Sequence, residues 1–228
     1  MKISIITLFP EMFSPILNTS ILGRAQKKGK VTFEFINLRE FGEGRHQVVD
    51  GRPYGGGAGM VLRADILARA LNKVHSHTSS GNSDVKVILT SASGKPYKQA
   101  DARRLSKLDH IIFICGHYEG VDQRFIDQYV SEEYSIGDFV LTGGEIPAMI
   151  ITDSIVRLIP GVLEKEDATI NESFTENVLE GPQYTRPDDF EGLKVPEILV
   201  SGHHKKIEGW RKDQSLKKTK KVRPDLLK

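Results

Sequence analysis

Apolar residues follow two rhythms along most of the chain. Residues 3–9 (ISIITLF) form an unbroken, largely β-branched and aromatic run, which suits a strand buried on both faces of a parallel sheet. Residues 12–28 then carry Phe13, Ile16, Leu17, Ile21 and Leu22 at helical spacing, which predicts a helix there. Strand patterns return at 31–38, 85–90, 111–115 and 132–136. Helical patterns fill 64–74, 98–107, 121–130 and 145–158. Strands alternating with helices of this length predict an α/β fold with a mostly parallel sheet. Residues 40–59 read as a Gly-rich, charged loop, SASGK after Thr90 as a turn, and HSHTSSGNSD at 75–84 as a mobile loop. The rhythm stops at Pro160 and Gly161. Residues 164–177 (EKEDATINESFTEN) are polar and charged and predict a linker. Two short helical patterns, near 203–212 and 214–221, then predict a small helical C-terminal domain.

Composition narrows the classes. The chain has 228 residues, 39% hydrophobic and 27% charged, enough for one large domain or two small ones with a real core. Cys115 is the only cysteine, which excludes an intrachain disulfide framework and a Cys-rich zinc site. No apolar run nears the ~20 residues that span a bilayer. The first apolar run is closed by Pro10 and Glu11 and reads as a strand, not an export signal, so the expected location is the cytoplasm, away from any membrane. The net charge of +2 conceals an asymmetry. Residues 201–228 hold ten basic and three acidic side chains, a charge of +7, which leaves −5 on the other 200 residues. An acidic body with a basic end predicts a polyanion docked at that end.

Several clusters could carry chemistry. DGRPYGGGAGM (50–60) is neither a phosphate loop nor a dinucleotide fingerprint, and is either a plain flexible loop or, with Asp50 and Arg52 beside it, a binding loop. Three Gly-containing loops each follow a strand: TSASGK (90–95), CGHYEG (115–120) and IGDFVLTGGE (136–145). Ligands of open α/β sheets bind beyond the carboxyl ends of strands, so three such loops could close around one small molecule. Their carboxylates, Glu119 and Asp138, suit a ribose hydroxyl or a cationic centre; taken singly, each loop is equally a helix cap or a tight turn. Arg157 ends an apolar helix, where it offsets the helix dipole or serves a site. Glu172 and Asp167 lie on the polar segment, either as solvated charges or as a general base. Trp210 sits among lysines and arginines; it anchors a small core whose exposed face can neutralise phosphates. His203 and His204 are adjacent and make a poor metal pair, as do His75 and His77.

RPYGGGAGM, CGHYEGVDQR, SIGDFVLTGGE, RLIPGVL, GPQYTRP and SGHHKKIEGWR, in this order, span essentially the whole chain. With them the chain closely resembles the bacterial tRNA (guanine-N1)-methyltransferases of the trefoil-knot (SPOUT) class. The resemblance implies an α/β domain, mostly parallel, with a deep trefoil knot (1–160), a linker (161–177) and a small helical tRNA-binding domain (178–228). It implies a homodimer, S-adenosyl-L-methionine as methyl donor, and the guanine immediately 3′ of the anticodon in tRNA as substrate. Cofactor contacts fall to Thr90, Ser91, Ala92 and Gly94, to Gly116, Tyr118 and Glu119, and to Ile136, Gly137, Asp138, Phe139, Leu141, Gly143 and Gly144. Substrate contacts fall to Asp50, Arg52, Gly59, Glu180, Tyr184, Arg186, His203, Lys217 and Lys218. Glu172 stands where the family has an aspartate base, Ala58 where proline is usual, and Gln183 where histidine is common. Arg157 is the expected stabiliser of charge at guanine O6, and the family also implies Mg²⁺, at a site the sequence does not locate. Two alternatives are a non-catalytic RNA-binding protein and a knotted methyltransferase acting at another RNA position. Glu119, Arg157 and Glu172 speak against the first, and the basic Trp210 region with YTRP against the second.

Overall fold

Five of the β-branched runs lie side by side in one parallel sheet. In this computed structural model, which describes residues 1–76, 84–164, 169 and 172–227, the chain divides into two compact units, Met1–Glu164 and Lys165–Lys228. Asp167, and all but the ends of the 75–84 stretch, lie outside the described residues. The first unit runs β1 (Lys2–Thr7), α1 (Ser14–Leu17), α2 (Ser20–Lys27), β2 (Thr32–Asn37), β3 (Asp50–Gly51), β4 (Val61–Leu62), α3 (Ala64–Ser76), β5 (Val85–Pro96), α4 (Gln99–Leu105), β6 (His110–Cys115), α5 (Gln123–Tyr129), β7 (Glu132–Ser135) and α6 (Glu145–Val156). The sheet order is β2-β1-β6-β5-β7, with every neighbouring pair parallel. β3 and β4 form a separate antiparallel pair.

Strand alternation sends successive side chains to opposite faces and makes two cores. Ile3, Ile5, Ile111, Phe113 and Cys115 pack on one face with Phe13, Leu22, Leu105 and Ile155 from α2, α4, α6 and the segment before α1. Ile6, Ile112, Ile114, Val87 and Leu89 pack on the other with Ile66, Leu67, Leu71 and Phe125 from α3 and α5. Every residue of β6, the central strand, is buried, as a strand covered on both faces requires.

Three local predictions are revised. The helix expected over 12–28 is broken into a 3₁₀ turn (Pro10–Met12), α1 and α2. The interruption falls at Thr19, which is extended, and Ser20, which has a left-handed φ of 50°; the Thr19 hydroxyl donates to the carbonyl of Pro15 at 2.8 Å, a local bond of the kind that competes with the helix ladder. The turn expected at SASGK is instead part of β5, which pairs with β7 before and after a register shift between Thr90 and Lys95. The two helical patterns near the C-terminus are one 19-residue helix.

That helix belongs to the second unit, which holds the hairpin strands β8 (Asp189–Phe190) and β9 (Leu193–Lys194), then α7 (Glu197–Val200) and α8 (His204–Val222). Glu191 and Gly192 turn the hairpin with φ of 56° and 86°. Thr219 is the one residue of α8 that is fully buried. Ion pairs four residues apart, Glu208–Lys212 at 2.9 Å and Asp213–Lys217 at 2.6 Å, support a helix that buries so little.

A histidine is buried in the first unit's sheet. His110, 2% exposed, starts β6, with Nε2 2.9 Å from Ser4 Oγ. The Ser4 hydroxyl gives its hydrogen to Glu34, so Nε2 is the donor, and the buried Nδ1 has no acceptor to receive a second proton. Burial, reinforced by the Lys2 ammonium and opposed by Glu34, pushes the imidazole down to about 4. An unfolded chain takes up a proton here near 6.5, so this site is neutral to stability above that pH. It costs stability progressively as pH falls from about 6.5 to about 4. Urea midpoints measured at pH 7.5 and pH 4.5 should therefore fall further in the parent than in His110→Asn.

Candidate active site

The carboxyl ends of β5, β6 and β7 all point the same way, and the loops leaving them enclose a cavity of about 490 Å³. Thr90, Ser91 and Ala92 line it from β5 where the register shifts, and Gly116, Tyr118 and Glu119 line it from the loop after β6. Ile136, Phe139, Leu141, Gly143 and Gly144 complete it from the segment between β7 and α6. Pro147, in the first turn of α6, adds to the wall. The wall mixes apolar side chains with exposed backbone and two carboxylates, Glu119 and Glu133.

Backbone contacts hold the loops together. Gly144 N–H donates to the Gly116 carbonyl at 2.7 Å, and the buried Thr90 hydroxyl donates to the Gly144 carbonyl at 3.0 Å. His117 and Gly143 form an antiparallel bridge. A Cβ at Gly144 would lie 2.2 Å from Thr90 Oγ1 and 2.7 Å from Gly116 N, so a side chain there would force the loops apart. The loop after β6 is also tied to the Gly-rich stretch: Glu119 N–H donates to Met60 O at 3.0 Å and Leu62 N–H to Gly120 O at 2.9 Å. Gly59 sits so close to Glu119 that a Cβ would lie 2.4 Å from its carboxylate oxygen. This brings the Gly-rich loop to the cavity edge. Asp50 lies half-buried in β3, paired with Leu62, while Arg52 is exposed.

Three expected cofactor residues are not on the wall. Gly94 packs against the backbone of Glu133 and Tyr134, Gly137 lies beneath the Phe139 ring at a φ of 155°, and Asp138 follows Gly137 in the same loop. Gly94 lets the far half of β5 lie against β7, where a polar cluster fixes it. The Tyr134 hydroxyl lies 2.7 Å from an Asp101 carboxylate oxygen and 2.8 Å from one of Glu132 and shares its one hydrogen between them, and Lys95 and Arg104 pair with Glu132 at 2.9 and 2.6 Å. Burial works against the Glu132 charge, but these cations and the Tyr134 hydroxyl outweigh it and hold the carboxyl at about 2.

Sequence patterns did not single out His117. Its ring packs between Phe9 (5.2 Å) and Tyr118 (5.1 Å), and its buried Nδ1 has no hydrogen-bond partner. Tyr118 adopts a left-handed φ of 58°, a strained conformation of the kind that concentrates at functional sites. Glu145 was also missed. It is buried in the first turn of α6 and accepts a hydrogen bond from Thr7 Oγ1 at 2.8 Å. Burial, with the Glu145 charge nearby, pushes the Cys115 thiol up, so that cysteine is inert packing.

Arg157 is half-buried at the C-terminal cap of α6 in the first unit. The remaining expected residues belong to the second. Glu172 and Glu180 line a cavity of about 420 Å³ together with Glu176, Glu208, Arg211 and Lys212. Tyr184 packs on Trp210 at 6.3 Å, Arg186 and His203 are exposed, Lys217 pairs with Asp213, and Lys218 is exposed.

A family model described as "tRNA (Guanine-1)-methyltransferase TrmD" matches residues 1–228. The chain belongs to this methyltransferase family. Proteins named tRNA (guanine-N(1)-)-methyltransferase from Anoxybacillus flavithermus, Bacillus subtilis and Carboxydothermus hydrogenoformans are each 52% identical to it. The matches cover 100% of this chain and 91%, 93% and 88% of the relatives. No helix among the described residues is long and apolar enough to cross a membrane.

The Gly144 contact is testable by itself. Gly144→Ala should destabilise the protein by about 1–3 kcal/mol, the usual cost of forcing a methyl into a packed site. Gly209→Ala, in α8 with nothing within 4 Å of the new Cβ, should stabilise it by about 0.5–1 kcal/mol. Chemical denaturation of both variants checks the contrast.

Proposed function

We propose that this enzyme transfers a methyl group from S-adenosyl-L-methionine to N1 of the guanine immediately 3′ of the anticodon in tRNA. The observation that carries the reading is the cavity at the ends of β5, β6 and β7, closed by three loops in a chain that matches the family from end to end. The cavity suits the cofactor. Its volume lies within the usual range for such ligands, Ile136, Leu141 and Pro147 offer apolar surface to an adenine, and Glu119 offers a carboxylate to a cationic centre. The orphaned His117 Nδ1 is a further polar group in want of a partner. When bound, the cofactor supplies an electrophilic methyl on a sulfonium.

The chain's own residues then do two things. Guanine N1 carries a proton at neutral pH, and Glu172 accepts it, with one methylene more reach than the aspartate usual in the family. Arg157 stabilises the negative charge that builds toward guanine O6. Among the described residues no three His, Cys, Asp or Glu side chains gather as ligands, so the Mg²⁺ implied by the resemblance is given no step here.

The second unit is read as the tRNA-binding part. Its three carboxylates between 201 and 228 each pair with a cation, Glu208 with Lys212, Asp213 with Lys217 and Asp225 with Arg223, and the remaining basic residues give the stretch its +7 charge. The homodimer belongs to the same proposal and is supported by apolar side chains left exposed on the first unit: Ile146 and Ile150 four residues apart on α6, with Phe139 and Val140 nearby in sequence. The trefoil knot also belongs to it, and the tight Gly144 stitching is the kind of loop closure a knot would need. The cytoplasm is the compartment where such an enzyme meets its substrate.

Mass spectrometry of tRNA incubated with the protein and labelled S-adenosylmethionine should locate one methyl at N1 of that guanine; a methyl elsewhere, or none, refutes the assignment. Glu172→Ala and Arg157→Ala should retain cofactor affinity by calorimetry and lose at least ~100-fold in methyl transfer. Parent-like turnover in both would remove their roles. Replacing Lys217, Lys218, Lys220 and Lys221 with Gln should weaken tRNA binding and reduce the slope of log K against log salt by about two to three. An unchanged slope would take α8 out of the interface.

A further inference from the structure

The segment that carries Glu172 is folded on itself and fastened to α8 through side-chain hydroxyls. Thr175 N–H donates to Glu172 O at 3.2 Å, Phe174 N–H to Val178 O at 2.8 Å, and Glu180 N–H to Ser173 Oγ at 3.0 Å. The loop so formed is anchored to α8 at Leu179. Its N–H donates to Thr219 Oγ1 at 2.8 Å, and its carbonyl accepts from Ser215 Oγ. Thr219 Oγ1 passes its own hydrogen to Ser215 O at 2.8 Å, so the clamp is fully satisfied. Thr219 is 0% exposed, in a helix that is otherwise polar and largely exposed. Gly181 passes so close to α8 that a Cβ there would lie 3.3 Å from Arg211 O and 3.4 Å from Ser215 N.

Helical geometry gives the clamp its meaning. Glu208, the pair Arg211 and Lys212, Ser215 and Thr219 follow one another at helical spacing on one face of α8, and all but Thr219 line the cavity with Glu172. Lys217, Lys220 and Lys221 fall on the opposite face. A hydrophobic contact could hold the loop as firmly, but the paired hydroxyls also set its register, because both backbone groups of one residue must be met.

We propose that Ser215 and Thr219 are positioning residues for Glu172: their hydroxyls hold Leu179 in register on α8 and so place the carboxylate for proton transfer. The helix then bears the loop of the base on one side and cations for the RNA backbone on the other. The proposal rests on the assignment of Glu172 as the base.

A double-mutant cycle tests it, read as single-turnover methyl transfer at saturating tRNA and S-adenosylmethionine. Thr219→Val, which keeps the shape and loses the hydroxyl, should slow transfer about 10-fold with tRNA affinity changed less than about twofold, and Thr219→Ser should restore the rate. In a Glu172→Gln background the same Thr219→Val change should alter the rate less than about twofold. Parent-like transfer by Thr219→Val, or an equal 10-fold loss in both backgrounds, overturns the clamp and leaves the base assignment standing. A parent-like rate in Glu172→Gln alone overturns the base assignment, and the clamp falls with it. Where circular dichroism shows Thr219→Val unfolded, Ser215→Ala takes its place in the same cycle, with the same outcomes deciding.

Discussion

The approach of Gly144 to Thr90 and Gly116 is the contact on which the first unit's cavity depends. Parallel strands deliver their loops to one end of a sheet but do not join them. Here the joining is done by a backbone N–H to Gly116, by the Thr90 hydroxyl, and by the His117–Gly143 bridge. The first two need segments closer than any side chain at position 144 would permit, and the third brings Gly143 equally close to the His117 ring. The loop after β6 is the hub, because it is also hydrogen-bonded to Met60 and Leu62 on the Gly-rich side. Four stretches distant in sequence thus become the wall and rim of one cavity.

The two units use different physics. The first buries aliphatic strands between helices and spends its polar groups on fixing loops, as in the Tyr134, Asp101 and Glu132 cluster behind the cavity. The second buries little, and its long helix is sustained by ion pairs along its surface and by hydroxyl contacts on one face. Such a helix keeps its cations at the solvated surface, where a charged partner can reach them.

What the sequence made legible follows the same division. Buried strands such as 111–115 announce themselves, because a strand covered on both faces must be apolar throughout. The three strand-end loops were legible because glycine marks close approach, and eleven of their fourteen nominated residues do line the cavity. Glycine does not say what is approached, however: Gly94 meets the backbone of Tyr134 and Gly137 meets the Phe139 ring. Periodicity missed whatever side-chain hydrogen bonds or tertiary pairing decide. The 12–28 pattern breaks at Thr19 and Ser20 although its apolar spacing is intact, the far end of the polar SASGKP stretch is a strand paired with β7, and α8 is continuous although no apolar stripe runs along it. His117 was hidden for a related reason, since it packs on Phe9, remote in sequence.

The position of β1 has a consequence for how the chain comes to be folded. β1 lies inside the sheet, between β2 and β6, and Lys2 pairs with both Thr32 and His110. The first of these partners leaves the ribosome early, but the second arrives only after about half the chain has been made. Until then one long apolar edge of β1 stands open to other chains, a hazard that grows with the delay before non-local pairing is complete. The same strand joins β1 to β5 and opens into the hub loop, so the nascent protein protects the edge of β1 and gains the centre of its cavity wall together, while β7 and its loop are added last.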